Sequence, residues 1–298
     1  GRKQNTVQLL NVEVQDFLLD STSHEDHSRV YYAKEIAFEL IGFKSLTKDR
    51  MYTLKADTIT GSAKNKTLLI HDLQMIPMYK DLAFTRKYKT QKDRYGLHFE
   101  NIIFRGIDFV KLNHDGSLHA QSLTLGPAKA AIFMNRELPP PAIDKGKNYP
   151  HLALKRLPMP LHLDSLNIND IHVAYTEYNP ITKKRGTVDL QQLNGTILNV
   201  TNDSSMLVKN NHAIANLSAR IINAANINVR LDFNLTAKDG AFNYSGHIGP
   251  MDMTALNPLS HSLGLVKIEQ GRVKKANFNI NGNLKGSRGT LRFYYDDL

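Results

Sequence analysis

The chain has 298 residues, 41% apolar and 22% charged, a balance that excludes intrinsic disorder and fits one large β domain or two smaller ones with a real core. Cysteine is absent, which removes disulfides, thiolate metal sites and cysteine nucleophiles together. The 38 Lys and Arg against 28 Asp and Glu leave a net charge of +10, which attracts acidic surfaces, and no apolar run is long enough to cross a bilayer as a helix.

No signal peptide opens the chain, and both Gly1-Arg2-Lys3 and the strand-like Thr290–Leu298 read as cut ends. In chain order, Val7–Leu19, Val30–Leu40 and Met51–Thr60 alternate apolar and polar residues and predict strands, separated by the turn-rich stretches Ser21–Ser28 and Lys44–Arg50. Gly61–Lys66 joins Thr60 to Thr67–Pro77 as a hairpin. Tyr79–Arg94 lacks Gly and Pro and is compatible with a helix carrying a narrow stripe of Leu82, Phe84 and Tyr88. It is also the one basic cluster, so Arg86, Lys87, Lys89, Lys92 and Arg94 are candidates for contact with anionic head groups.

The main internal signal is a ladder of apolar pairs. In Pro160–Tyr175 the pairs are Leu161/Leu163, Leu166/Ile168 and Ile171/Val173: the period is two within a pair and five from pair to pair. Five is odd, so an uninterrupted strand would send successive pairs to opposite faces. A β-bulge or a short turn must reset the face, and Asp164-Ser165 and Asn169-Asp170 suit either. The same ladder appears as Leu97/Phe99, Ile102/Phe104 and Ile107/Phe109, and in shorter form as Leu118/Ala120 with Leu123/Leu125, Leu68/Ile70 with Leu73/Met75, and Val188/Leu190 with Leu193. Its copies are irregularly spaced, which reads as a meander of long strands rather than a strict solenoid.

Asn135–Pro160 holds six prolines and cannot be a central strand or a helix interior. It divides the chain into an N-terminal β region (1–138), a Pro-rich crossing (139–160) and a C-terminal β region (161–298), with one continuous sheet as the alternative. Gly186–Val200, Ala213–Ile222, Ile227–Thr236 and Ala241–Ile248 follow as strands, Asp239-Gly240 being a hairpin turn. Asn257-Pro258 predicts a short helix with Asn257 as cap, and Val266–Lys275, Ala276–Gly282 and Gly289–Tyr295 close the chain as strands. The expected fold is all-β and mainly antiparallel, an elongated, strongly curved or groove-forming sheet with one or two short helices.

Catalytic signatures are missing: there is no Gly-x-Ser-x-Gly, no His-Glu-x-x-His and no dinucleotide fingerprint, and an enzyme is not expected. No catalytic residue, cofactor or metal is assigned. His24-Glu25-Asp26-His27 has metal-ligand residue types, yet reads better as hydrated turn chemistry. The basic cluster lacks a recognition helix or aromatic platform, so nucleic acid is not expected. The absence of Trp weakens carbohydrate binding, and the seven Asn-x-Ser/Thr sequons read as chance.

Ser245-Gly-His-Ile-Gly-Pro-Met-Asp-Met-Thr-Ala-Leu-Asn-Pro-Leu259, Gly264-Leu-Val-Lys-Ile-Glu-Gln-Gly-Arg-Val273 and Gly289-Thr-Leu-Arg-Phe-Tyr-Tyr-Asp-Asp-Leu298 resemble, in order and type, the C-terminal module of AsmA-like bacterial envelope proteins. The ladder resembles the same family more loosely. The resemblance implies a periplasmic protein, tethered to the inner membrane by an N-terminal helix that this chain lacks, whose curled sheet forms an apolar groove for lipid in outer-membrane lipid homeostasis or assembly. On that reading the partners are lipid or a membrane surface, with other envelope proteins besides, and the groove candidates are Leu161, Leu163, Leu166, Ile168, Ile171, Val173, Leu97, Phe99, Val188 and Leu190. The alternative is a structural envelope scaffold or protein-interaction module with a closed core and no lipid. The two differ in whether the ladder face is open or covered.

Overall fold

The computed structural model describes residues 5–20, 23, 26, 28–142, 149–260, 262–264 and 266–296. The strands are β1 (Asn5–Thr6), β2 (Leu9–Phe17), β3 (Ala33–Leu46), β4 (Tyr52–Ser62), β5 (Thr67–Pro77), β6 (Arg94–Arg105), β7 (Leu118–Leu125), β8 (Ala128–Asn135), β9 (Leu161–Asn179), β10 (Lys184–Thr201), β11 (His212–Ile221), β12 (Ala225–Asn234), β13 (Phe242–Ile248), β14 (Met251–Asp252), β15 (Arg272–Asn283) and β16 (Gly286–Asp296). All belong to one 16-stranded sheet whose main path runs β1-β3-β4-β5-β6-β7-β9-β10-β11-β12-β13-β15-β14, with β2 on β3, β16 on β15, and β8 between β6 and β9. The fold is therefore all-β and mainly antiparallel.

Among the described residues β7 with β9 and β8 with β9 pair in parallel. β7 and β8 are successive halves of one line, broken at Gly126-Pro127, and together they face β6 on one side and β9 on the other. A parallel neighbour needs a long return connection, and the Pro-rich crossing supplies it. The sheet is continuous across that crossing.

Positive-φ residues mark where the odd step is reset. Asp72 (φ 53) lies between Ile70 and Leu73, and Asp170 (φ 47) between Ile168 and Ile171. Gln192 (φ 52) lies between Leu190 and Leu193, where the register with both neighbours of β10 shifts. These positions are joined across the sheet. Gly126 N–H donates to the Asn101 carbonyl, Asp170 N–H donates to Asn194 Oδ1 at 2.9 Å, and a Cβ on Gly126 would run into the Asn169 carbonyl. The resets thus align in a crease: β5 keeps its register with both neighbours across it, as β9 does with β7 and β8, and the register shifts in the manner of a bulge at β10. Asp, Asn and Gly tolerate the left-handed backbone that such a position requires.

Among the described residues five α-helices, all short, punctuate the sheet: α1 (Asp81–Thr85), α2 (Phe109–Asp115), α3 (Pro150–Leu154), α4 (Ser204–Lys209) and α5 (Asn257–Ser260). This exceeds the one or two expected. Tyr79–Arg94 is helical only over α1. Ile107 and Phe109, read as a third ladder pair, leave the strand: β6 ends at Arg105, and Asp108 caps α2 by accepting from Lys111 N at 2.8 Å. Asp252, not Asn257, caps the helical segment that leads into α5, because a 3-10 turn over Met253–Leu256 precedes it. Asn257 instead clasps residue 268, accepting from its N–H at 2.8 Å and donating to its carbonyl at 2.7 Å. Strand β15 begins at Arg272, so the described residues of the expected strand start at Val266 lie outside it.

Two small buried clusters form near the ends of strands, and single buried residues such as Leu235, Val273 and Ala276 lie elsewhere. Phe84 of α1 packs with Met51 and Tyr52 against Met75 and Tyr88. Ile107, Ala120 and Leu163 form a second cluster with Phe104, Phe109, Leu123 and Leu161 around them. Burying a side chain such as Leu163 contributes about 1.5–3 kcal/mol.

The crease also limits substitution where strands approach closely. Gly195 (φ 148) leaves no room for a Cβ, which would strike the Asn216 carbonyl oxygen, whereas Gly286 has open space around it. Gly195→Ala is expected to lower stability by about 1–3 kcal/mol and Gly286→Ala by under about 1 kcal/mol, read as urea-unfolding midpoints.

Candidate functional site

Directly paired residues in adjacent strands project to the same face, so the register defines rows that cross the sheet. One row runs Leu10, Leu40, Ile59, Ile70, Ile102, Leu125 and Ile168, each paired with the next. It continues through Gly195, Leu217, Val229, Gly246, Phe278 and Leu291. Two residues along each strand, a companion row runs Val12, Phe38, Gly61, Leu68, Phe104, Leu123 and Leu166. From there it passes through Ile197, Ala215, Leu231, Tyr244, Ile280 and Gly289. No position in either row carries a charge, and the single polar atom is the Tyr244 hydroxyl. Two of the glycines lie beneath rings: a Cβ on Gly61 would meet Phe38, and one on Gly246 would meet Phe278.

A third row lies across the crease: Leu54, Met75, Leu97, Ala130, Val173, Leu190, Ile221 and Ala225. Strands β11 and β12 show that all three rows share one face. Their register is unbroken from Ala213↔Phe233 to Ile221↔Ala225, and the row residues keep strict period two. The opposite face is polar: Asn167 accepts from Thr196 Oγ1 at 3.1 Å, Arg230 Nη1 donates to Asn216 at 3.3 Å, and His172 Nε2 lies 2.9 Å from Asp189. At about 4.8 Å per strand, the first row spans on the order of 50–60 Å.

Of the groove candidates, Leu166 and Ile168 belong to the first two rows, and Leu97, Phe99, Ile171, Val173 and Leu190 to the region across the crease. Val188 continues that region, paired with Tyr175. Leu161 and Leu163 differ: they belong to the cluster with Phe109 of α2, and Leu163 is 2% exposed, so this rung is closed core. Ile171 is also buried. Most other row residues are half-buried, and those on β2 and β16 are exposed.

The basic cluster does not form a free anion site. Arg86 donates from Nε and Nη2 to Glu137 at 2.9 and 2.8 Å, and Arg94 pairs with Asp81 at 3.2 Å. Lys87 stands over the Tyr79 ring and Lys92 over the Tyr88 ring, at 4.7 and 4.4 Å, while Lys89 is exposed. Sequence spacing clusters these charges without showing their partners, since Glu137 lies just after β8 and Asp81 begins α1.

Two polar groupings escape the sequence reading. His119 Nε2 lies 2.9 Å from Asp203 Oδ2, and Ser205 Oγ donates to Asp203 Oδ1 at 2.6 Å. Asp203 is held well below the usual carboxylate range, first by Ser205 and then by His119 against an opposing cost of burial. The serine hydroxyl here meets the carboxylate rather than the imidazole, so the trio lacks the nucleophile–base contact of acyl-transfer chemistry. His151 of α3 is buried, with Nε2 3.0 Å from the Gly240 carbonyl. That oxygen can only accept, so Nε2 carries the proton; burial pushes the His151 pKa down and keeps the ring neutral.

The described residues contain no group of three or more His, Cys, Asp or Glu that could hold a metal ion, and no helix among them is long and apolar enough to cross a membrane. His24, Glu25 and His27 lie outside the described residues. No protein-family model matches the chain, and no curated protein sequence does.

Glu137 links the cluster to acid stability. Hydrogen bonds from Arg86 and then Asn135 hold its carboxyl down to about 2 from an ordinary 4.5. A depressed carboxylate stabilises the fold above its unfolded pKa, and that contribution is lost as pH falls from 4.5 toward 2. Glu137→Gln is expected to lose less melting temperature than the parent between pH 5 and pH 2.5, measured by thermal unfolding monitored by circular dichroism.

Proposed function

We propose that the protein is a non-enzymatic, AsmA-like envelope protein that binds or conducts phospholipid or other lipid acyl chains along the apolar face of its sheet. The observation that carries this reading is the pair of register-matched rows from β2 to β16, uncharged at every position and without a second sheet over them among the described residues. Folded proteins rarely leave so large an apolar surface without a use. Each methylene taken from water onto such a surface contributes about 0.8 kcal/mol, so acyl chains bind it through length rather than through a polar signature.

The resemblance of Ser245–Leu298 to the AsmA-like module supports a periplasmic setting, with an N-terminal helical tether to the inner membrane and a role in outer-membrane lipid homeostasis or assembly. Charge supports contact with acidic head groups through the net +10 and exposed Lys89; Arg86 and Arg94 are occupied by their carboxylates. A second reading, an envelope scaffold that binds other proteins, is favoured by β2 and β16, whose outer edges have no partner strand among the described residues.

Native mass spectrometry of the purified protein, with organic extraction and uptake of a fluorescent fatty acid, separates the two. Lipid reading predicts co-purified lipid and saturable uptake. Ile168→Asp, which places a charge in the row, is expected to weaken uptake about tenfold, while Thr124→Asp on the polar face leaves it within about twofold. An apolar face that takes up no fatty acid and carries no lipid through purification leaves the scaffold reading standing alone.

A further inference from the structure

We propose that the space between α3 and strands β9 to β12 is a roofed site for a single hydrocarbon chain, entered end-on, of a lipid whose polar group stays outside. This rests on the lipid reading above and adds a defined station to it.

The space has a volume of about 290 Å³, and its walls are almost entirely hydrocarbon. Pro150, Leu154 and Leu157 close it from the side of the crossing, and Leu166, Ile197 and Phe233 from the sheet. Two of these, Leu166 and Ile197, are members of the companion row. A chain lying along that row therefore reaches the space without crossing a polar surface.

Polar pins hold α3 at a fixed height over the sheet. His151 Nε2 donates to the Gly240 carbonyl at 3.0 Å, and Lys155 Nζ donates to the Ala237 carbonyl at 3.1 Å. Asn202 Nδ2 donates to the carbonyls of Leu154 and Met159 at 3.2 and 3.1 Å. The imidazole also stacks on Phe233 with ring centroids 4.9 Å apart. With these contacts made, the leucines of α3 cannot settle onto the strands and close the gap, although protein interiors ordinarily pack without such voids.

The size and chemistry of the space select its occupant. A peptide helix, roughly 10–12 Å across with its side chains, is too wide for a space at the lower end of the ligand-pocket range of roughly 300–1,000 Å³. Ordered water needs two or more polar partners, which these walls do not supply. A single alkyl chain satisfies both limits. Where α1 and α2 stand over the rows, their side chains fill the gap as packed core. Under α3 the gap is open and lies between helix and sheet, so this is where one chain is held most tightly.

Palmitic acid carrying a terminal diazirine tests the site on the full chain. Photolysis followed by peptide mapping is expected to place label on residues 150–157 and 231–235 at about ten times the density found on residues 97–104. Leu157 is 43% exposed at the rim, so Leu157→Trp blocks the mouth without disturbing a packed core. It is expected to lower label under α3 about tenfold while leaving label on 97–104 within about twofold. Ala213→Leu fills the floor and is expected to act in the same way; if it melts early, Leu157→Trp decides. Label spread along the rows but absent beneath α3 overturns this site and leaves the lipid reading intact. Label nowhere on the protein overturns both.

Discussion

Cross-strand register is the constraint on which the rest of the molecule depends. An apolar ladder with a five-residue step returns to the same face only if an extra residue is absorbed, and a strand cannot absorb it alone. A neighbour without a matching allowance would pair its polar residues with the next apolar pair. The allowances therefore align from strand to strand, at Asp72, Gly126, Asp170 and Gln192, and become a crease. β10 is the last strand on this line to carry one. Beyond it β11, β12 and β13 pair without interruption and keep simple alternation. Two ways of writing an apolar face, one stepped and one regular, meet at the compensating shifts of β10.

The helices follow from this arrangement. α1 and α2 sit over the short buried clusters at the ends of strands, and α3 stands on polar pins above β9 to β12. None is longer than two turns, so none can shield a face that crosses the whole sheet. The surface between them owes its apolar character to register, and its exposure to the lack of a second layer among the described residues. That combination is what distinguishes it from a sandwich core with the same alternation.

The ladder in Leu161–Val173 announces strands and demands a reset, and the dipeptide Asn169-Asp170 was readable as its location because Asp accepts a left-handed backbone. At Asp164-Ser165 the positive φ falls instead on Asn199 of the partner strand, which no local pattern in β9 reveals. The same spacing misleads at Ile107 and Phe109, where Asp108 caps a helix and the apolar pair turns inward to meet Leu163 and its neighbours. Leu163 and Leu166 look equivalent in the sequence, yet Leu163 is closed in the cluster beside α2 while Leu166 is half-buried and faces the space under α3. The partners of Arg86 and Arg94 were equally hidden. Charge density along a segment is a local property, while Glu137 reaches Arg86 from 51 residues away.

The rows run perpendicular to the strands, so the length of the apolar face is counted in strands rather than in residues per strand. Each further strand docked on β2 or β16 lengthens the track by about 4.8 Å while asking only for two small or apolar residues at the right register. Growth of this kind needs no new core and no change in any existing strand. Edges without a partner strand among the described residues thus give the architecture an extensible dimension, in which reach is adjusted by adding or losing hairpins and the chemistry of the surface stays the same.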